Sequence, residues 1–215
     1  MLCLEIQSIL EELPGYGNEM KKKLGVFGGT FDPIHYGHMA VVQEVKKQLE
    51  LEEILFVPAG VPWMKLGREI SAAHHRLAML RLAVKNNPEF IVCEVELNRE
   101  GPSYTVETLE QIKGVTGWEE EIYCILGLDA LVEIPSWHKP ARLVELAKLV
   151  GVSRPGYHID MDAGSDYLDE AVIIYGPKLD ISGTEIRRRV ALGLTIENYV
   201  PRSVEEYIKK ENLYR

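Results

Sequence analysis

The chain has 215 residues, of which 46% are hydrophobic, and it carries a formal net charge of −9. A chain of this length buries roughly 70% of its extended surface on folding, so it needs no structural metal or disulfide. The acidic balance argues against nucleic acid or an anionic membrane as the main partner, because both carry negative charge.

The first residues differ in character from the rest of the chain. Residues 4–13 fit a short amphipathic helix that Pro14 and Gly15 end, and a lysine run over 21–23 precedes the first apolar strand. We predict an N-terminal extension over 1–19 of unknown role and a single domain over 20–215. No run reaches the roughly 18 apolar residues of a membrane span, and acidic residues interrupt any signal-peptide pattern. The three cysteines match no zinc-binding pattern, and their number is odd, which fits reduced thiols rather than disulfides. We therefore expect a cytoplasmic protein.

From residue 24 onward, short apolar strands alternate with helices. Strands are predicted over 24–28, 53–58, 90–97, 121–126, 148–153 and 171–175. Helices are predicted over 37–51, 71–86, 104–113, 139–147, 183–192 and 203–212, and a surface loop over 154–170. This alternation predicts an α/β fold in which helices cover both faces of a parallel sheet and a small helical region ends the chain. Ligands of such sheets bind beyond the carboxyl ends of the strands, so the chemistry is expected there.

The first predicted strand runs into the sequence G-G-T-F-D-P-I-H-Y-G-H over 28–38, which is neither of the common phosphate-binding loops. His35 and His38 lie three residues apart at a helix start, where they can donate hydrogen bonds to phosphate oxygens. A zinc site is one alternative, but it needs a third protein ligand, and Asp32 is awkwardly placed for this. A pair of structural core histidines is the other alternative. The predicted phosphate-binding residues are Gly28, Gly29, Thr30, Phe31, His35 and His38.

A second candidate phosphate segment, I-S-G-T-E-I-R over 181–187, follows the last predicted strand. Ser182 and Glu185 fit a helix capping box, so a well-capped surface helix is one interpretation. The helix start also lies at the ligand edge of the sheet, and Arg187 is one turn into the helix. We therefore predict that Arg187 and Thr184 contact a phosphate.

These two segments resemble the nucleotidyltransferase superfamily that carries the H-x-G-H motif. The run over 28–38 is similar to its signature, and 181–187 is similar to the family segment I-S-[ST]-x-x-[IV]-R, departing from it at Gly183, where serine is usual. The resemblance implies a Rossmann-like fold, nucleotidyl transfer and ATP as a substrate. It also implies that the triphosphate contacts Ile181, Ser182, Thr184 and Arg187.

Three further segments resemble the bacterial nicotinate mononucleotide adenylyltransferases. They are G-P-S-Y-T over 101–105, G-L-D over 127–129 and P-S-W-H-K over 135–139. Taken alone, they fit a turn before a helix, an N-cap aspartate and an exposed loop. The resemblance implies that an acceptor pocket for the pyridine ring is lined by Tyr104, Thr105, Trp137 and His138, with the backbone amides of Trp137 and His138 at the carboxylate. It places Gly127 and Asp129 at the ATP.

The loop before the second helix departs from the family pattern. The family has Pro-Pro-His-Lys, whereas this chain has P-W-M-K over 62–65, followed by the retained His75-Arg76 pair. The resemblance implies that Lys65 lies near the reacting phosphates and that Arg76 contacts the acceptor. A solvated lysine and a solvated or salt-bridged arginine are the alternatives.

The implied reaction is attack of the acceptor's 5′-phosphate on the α-phosphorus of ATP, with pyrophosphate leaving. The implied catalytic residues are His35, His38, Lys65 and Arg187. We expect Mg²⁺ to accompany ATP without a direct protein ligand, and Asp129 to contact it through a water molecule. Nicotinate mononucleotide is the expected acceptor. The alternatives are nicotinamide mononucleotide or phosphopantetheine as acceptor, and a non-catalytic nucleotide sensor. The sequence leaves the oligomeric state open, including a homo-oligomer.

Overall fold

The computed structural model describes residues 23–62, 69–116, 121–153 and 166–215. The predicted extension over 1–19, the loop residue Lys65 and most of the stretch 154–170 lie outside the described residues. The predictions made for them stay predictions, as does the division into an extension and one domain.

Six parallel strands form one sheet in the order β3-β2-β1-β4-β5-β6. The strands are β1 (Lys23–Gly29), β2 (Glu53–Pro58), β3 (Phe90–Val92), β4 (Glu121–Gly127), β5 (Lys148–Ser153) and β6 (Val172–Tyr175). The predicted parallel sheet is confirmed. The prediction for the third strand is too long, because Asn98 N–H donates to the Glu94 carbonyl oxygen at 3.1 Å and turns the chain.

All six predicted helices are present, with ends shifted by at most three residues. The helices are α1 (Tyr36–Leu49), α2 (Ala73–Val84), α3 (Thr105–Thr116), α4 (Leu128–Val132), α5 (Pro140–Leu146), α6 (Asp166–Asp169), α7 (Gly183–Ala191) and α8 (Arg202–Lys210). The short helices α4 and α6 are not predicted. Helix α6 lies at the C-terminal end of the stretch 154–170, so the prediction of a loop is wrong for that end. One further turn, Ile134–Ser136, is a 3-10 helix.

Two hydrophobic cores lie on opposite faces of the sheet. Helices α1, α2, α7 and α8 cover one core and α3 to α6 cover the other. Side chains alternate along β2: Ile54 and Phe56 enter the first core, while Leu55 and Val57 enter the second. Burial on both faces explains why the strands are apolar without alternation.

The sheet order places a crevice between β1 and β4. These strands are neighbours, and the helices that follow them, α1 and α4, lie on opposite faces. In parallel α/β sheets this reversal of direction opens a ligand crevice at the carboxyl ends of the two strands. The segments that follow β1 and β4 are those singled out by the sequence. Within the described ranges, no helix combines the length and apolarity needed to cross a membrane.

Candidate active site

Two stacked imidazoles stand at the N-terminus of α1. The ring centroids of His35 and His38 are 3.6 Å apart, and the ring planes differ by 22°. Gly37 permits this approach, because a Cβ at that position would lie 3.0 Å from His35 Nδ1 and 3.3 Å from the Ile181 carbonyl oxygen. The histidine pair therefore depends on the glycine between its members.

The two histidines also cap each other's backbone. The His35 N–H donates to His38 Nδ1, and the His38 N–H donates to His35 Nδ1, both at 3.3 Å. Because each Nδ1 accepts a hydrogen bond, the neutral form of each ring carries its proton on Nε2. Both Nε2–H groups are then donors for an anion at the helix N-terminus, where the helix dipole favours negative charge.

Phe31 supports the histidines from the core. Its side chain is 1% exposed, and its ring centroid lies 5.2 Å from that of His38. The ring also covers Gly29, where a Cβ would lie 2.9 Å from it. The predicted contact of Phe31 with ATP stays a prediction, and the Phe31 side chain is buried. The open position is Gly28, which is exposed and has no described atom within 4 Å of an added Cβ.

The second predicted phosphate segment lies against the first. Arg187 Nη1 donates to the main-chain oxygen of Asp32 at 2.7 Å, and Arg187 Nη2 donates to Thr184 Oγ1 at 3.3 Å. Gly183 leaves room for this contact, because a Cβ there would lie 3.0 Å from the Asp32 oxygen. A side chain at position 183 would therefore crowd this contact. Residues 28–38 and 181–187 together form what we call the phosphate side.

The start of α7 is capped as predicted. Ser182 is the N-cap, and its Oγ accepts a hydrogen bond from the Glu185 N–H at 3.2 Å. The carboxylate of Glu185 pairs with Arg188. Ile181, just before this helix, lines the same cavity as the histidine pair, so the N-terminus of α7 lies near that cavity.

One cavity joins the phosphate side to the end of β4. It is lined by His35, His38, Gly127 and Ile181 from the predicted set and by Gly37, which lies between the two histidines. The sequence analysis missed the rest of its wall, which consists of Phe27, Val41, Val152, Ser153, Pro177 and Leu179. Ser153 ends β5, so the rule that ligands sit beyond strand ends gives a signal for it. The other residues carry no chemical signal, since they are apolar residues or proline.

Asp129 lies in the first turn of α4, with an exposed side chain beside Gly127. A hydrated Mg²⁺ is held by substrate phosphates together with one or two carboxylates, and a single exposed carboxylate at the crevice fits that arrangement. Among the residues that the structure describes, no group of three His, Cys, Asp or Glu side chains is arranged to hold a metal ion.

The two segments predicted to bind the acceptor, 101–105 and 135–139, contact each other beside the second core. The rings of Tyr104 and His138 stack with centroids 4.4 Å apart and planes 27° apart. Ser103 ties the same segment to the loop after β2, because its Oγ accepts hydrogen bonds from the N–H groups of Gly60 at 3.0 Å and Val61 at 3.2 Å. Residues 101–105 and 135–139 together form what we call the acceptor side. Thr105, the first residue of α3, is half-buried beside Tyr104.

Trp137 lies partly buried against the second core. Its backbone N–H donates to the Ile134 carbonyl oxygen at 2.9 Å, so the predicted contact of this amide with the acceptor's carboxylate does not fit. The indole Nε1 is buried and has no hydrogen-bond partner in the described part of the chain. A buried donor without a partner is costly, so this side chain is held in place by packing.

Arg76 lies inside the protein, where a direct contact with the acceptor, as predicted, does not fit. It is 2% exposed, and its guanidinium donates to the carbonyl oxygens of Ser71 at 3.0 Å and Thr30 at 2.9 Å, with a longer contact to that of Gly60 at 3.5 Å. Burial lowers the pKa of Arg76, and the charge of Asp32 opposes that shift. Arg76 therefore joins the loops after β1 and β2 from beneath.

A buried carboxylate lies behind the acceptor side. Glu96 is 8% exposed, and its Oε1 accepts a hydrogen bond from Thr108 Oγ1 at 2.7 Å. Burial raises the pKa of Glu96, while hydrogen bonds from Thr108 and Ser103 and the charge of Arg99 lower it. Ser103 also accepts hydrogen bonds from the loop after β2. Glu96 therefore anchors the hydrogen-bond network of Ser103 and Thr108 that shapes the acceptor side.

Comparison with known proteins points to one group of enzymes. The Cytidylyltransferase-like family matches residues 26–189. A curated protein from Roseiflexus sp. (strain RS-1), named "Probable nicotinate-nucleotide adenylyltransferase", is 44% identical over 198 residues, covering 89% of this chain and 98% of that protein. A protein of the same name from Thermomicrobium roseum is 43% identical over 197 residues, covering 90% of this chain and 92% of that protein.

Solved structures share the fold. The nicotinic acid mononucleotide adenylyltransferase of Plasmodium falciparum, complexed with NaAD, matches with a TM-score of 0.76 and 24% identity, covering 90% of this chain and 97% of that chain. The same enzyme complexed with APC gives a TM-score of 0.73 with the same coverage. These matches agree with the expected Rossmann-like nucleotidyltransferase fold.

Proposed function

Because the chain belongs to the Cytidylyltransferase-like family, and within it to the nicotinate-nucleotide adenylyltransferases, we propose that it transfers the adenylyl group of ATP to nicotinate mononucleotide. The products are nicotinate adenine dinucleotide and pyrophosphate. The observation that carries the assignment of the site is the contact between Arg187 and Asp32, which brings the second phosphate segment onto the loop that holds His35 and His38.

The phosphate side binds the triphosphate of ATP. One anion site at the carboxyl edge of the sheet takes donors from three places: the Nε2–H groups of His35 and His38, the guanidinium of Arg187 and the first amides of α7. These donors lower the barrier most where charge builds up, on the oxygens of the α-phosphate and of the departing pyrophosphate. Thr184 acts on Arg187, whose Nη2 it holds.

The chemistry needs no strong general base. The 5′-phosphate of the acceptor is already an anion, so the protein's task is to hold it in line with the bond between the α-phosphorus and the bridging oxygen. An oxygen of that phosphate forms the new bond, and the electron pair of the broken bond leaves with pyrophosphate. Lys65 is proposed near the reacting phosphates, where its charge offsets theirs.

Mg²⁺ is proposed to accompany ATP. When bound, it neutralises part of the charge on the triphosphate oxygens. Asp129 would hold the hydrated ion through water, and no side chain is proposed as a direct ligand.

The acceptor side receives the pyridine ring of the mononucleotide. Tyr104, Thr105, Trp137 and His138 form its wall, and the His138 backbone amide is the proposed donor to the carboxylate. Arg76 acts from beneath by fixing the Thr30 carbonyl oxygen. We propose that the reaction takes place in the cytoplasm, where ATP is abundant and where cysteines outside disulfides, such as Cys93 and Cys124, stay reduced.

A product assay tests this function. Pyrophosphate release is measured with ATP, Mg²⁺ and one of three acceptors: nicotinate mononucleotide, nicotinamide mononucleotide or phosphopantetheine. We expect the highest kcat/KM with nicotinate mononucleotide. Faster turnover with either of the other acceptors would overturn the assignment of substrate, and ATP binding without turnover on any acceptor would indicate a nucleotide sensor.

A further inference from the structure

The residue Tyr214 contacts the phosphate side through its hydroxyl group. Tyr214 Oη donates to Asp32 Oδ1 at 2.6 Å, a contact between residues 182 positions apart in the sequence. The other carboxylate oxygen of Asp32 accepts a hydrogen bond from the Ser71 N–H at 3.2 Å. Asp32 is 8% exposed, so these donors compensate a carboxylate that has little access to water.

Asp32 is also the residue that orients Arg187. Its main-chain oxygen accepts the hydrogen bond from Arg187 Nη1 at 2.7 Å. A guanidinium is a rigid planar fork, so fixing one of its nitrogens sets the direction of the others. The carboxylate of Asp32 thus fixes the position of a peptide whose carbonyl group sets the direction of Arg187.

The hydroxyl of Tyr214 is suited to a permanent donor role. Burial raises the pKa of Tyr214, and the neighbouring charge of Asp32 raises it further. The phenol therefore stays protonated well above neutral pH. Its Oη also lies 4.0 Å from Met79 Sδ of α2, so the ring is packed as well as bonded.

We propose that Tyr214 is a positioning residue for ATP, acting through Asp32 to aim Arg187 at the triphosphate. Tyr214 does not touch the substrate itself. This inference rests on the proposed function, since it assumes that Arg187 binds the phosphates of ATP. The geometry of the phosphate side then depends on contacts among three parts of the chain that are distant in sequence: residues 28–38, residues 181–187 and Tyr214.

The test compares two tyrosine-to-phenylalanine variants of the full chain. Tyr214→Phe removes the bond to Asp32 and keeps the ring. Tyr207→Phe is the matched control, because Tyr207 Oη also makes one hydrogen bond, to His75 Nδ1 at 3.0 Å, away from the phosphate side. Melting temperatures of both variants are measured first, and the kinetics are run well below them.

We expect Tyr214→Phe to lower kcat/KM for ATP by roughly tenfold, the size expected for one lost hydrogen bond to a charged group. The KM for nicotinate mononucleotide should stay within about twofold of the wild-type value, because the hydroxyl acts through Asp32 on Arg187, which is assigned to ATP and not to the acceptor. Tyr207→Phe should leave both constants unchanged. Wild-type kinetics in Tyr214→Phe, or equal losses in the two variants, would overturn the proposal.

A double-mutant cycle shows whether the effect passes through Arg187. In an Arg187→Ala background, Tyr214→Phe should cause no further loss, whereas two additive losses would contradict the proposed route. Calorimetric binding of a non-hydrolysable ATP analogue is measured on the same variants. If the wild type binds the analogue without turnover, the proposed function fails, and a tenfold weaker affinity in Tyr214→Phe still decides the positioning role.

Discussion

The phosphate side and the acceptor side are built in different ways. On the phosphate side, polar groups bond to one another: the histidines cap each other, and Arg187 binds the Asp32 carbonyl oxygen. On the acceptor side, aromatic rings pack together, and the buried Trp137 Nε1 has no hydrogen-bond partner among the described residues. Under the proposed function, directional bonds fix donors for a charged triphosphate, whereas ring packing gives a wall for a flat pyridine. The difference predicts different kinetic signatures for damage on the two sides.

The largest effect is expected at the histidine pair. His38→Ala removes an Nε2–H donor and the acceptor that caps the His35 N–H, so kcat should fall by roughly 10²-fold or more. Steady-state pyrophosphate release is the measurement, with His74→Ala as the control, because His74 is exposed on α2. Unchanged turnover in His38→Ala would remove the phosphate side from the mechanism.

A smaller loss is expected at the guanidinium. In Arg187→Lys a single ammonium replaces the planar fork and cannot hold the Asp32 oxygen and a phosphate together, so kcat/KM for ATP should fall roughly tenfold. Arg188→Lys is the matched control, since Arg188 pairs with Glu185 on the surface and such pairs contribute little. Equal kinetics for the two variants would show that Arg187 does not reach the substrate.

Damage to the acceptor side should change KM for the acceptor and spare the ATP constants. His138→Ala removes an exposed ring that stacks on Tyr104, so we expect a several-fold higher KM for nicotinate mononucleotide and an unchanged melting temperature. Glu133→Ala, an exposed change in the same loop region, serves as the control. A rise in KM for ATP of the same size would erase the distinction between the two sides.

The smallest effect concerns stability. Burial raises the pKa of Glu96, so its carboxyl group binds a proton more tightly in the folded state than in the unfolded state. The resulting stability is present below the unfolded pKa of about 4.3 and is lost as pH rises through the folded value. The melting temperature of Glu96→Gln, minus that of the wild type, should therefore increase between about pH 4 and pH 8. The exposed Glu100→Gln should show no such trend, and a flat difference for Glu96→Gln would contradict the interpretation.

The sequence predicts the parallel sheet and its long helices because apolar strands and helical periodicity are local signals. It also predicts the helix start at the histidine pair and the capping role of Ser182, which depend on neighbours within a few residues. The burial of Arg76 is not predictable in this way, because it depends on carbonyl oxygens of loops up to 46 residues away. The bond from the Trp137 amide to the Ile134 carbonyl oxygen is local, and it is missed for another reason: the sequence analysis does not predict the 3-10 helix that forms it.

The separation of the bonded residues along the chain has a consequence for folding. The contacts of Asp32 with Arg187 and Tyr214 close loops of 155 and 182 residues, so they form only after the sheet has brought both ends of the domain together. A partly folded chain therefore lacks the triphosphate-binding geometry even when its strands have paired. A nucleotide that binds only the finished molecule stabilises it by mass action, by roughly 2.7 kcal/mol at a concentration one hundred times its dissociation constant. Under the proposed function, ATP therefore selectively stabilises chains that have completed folding.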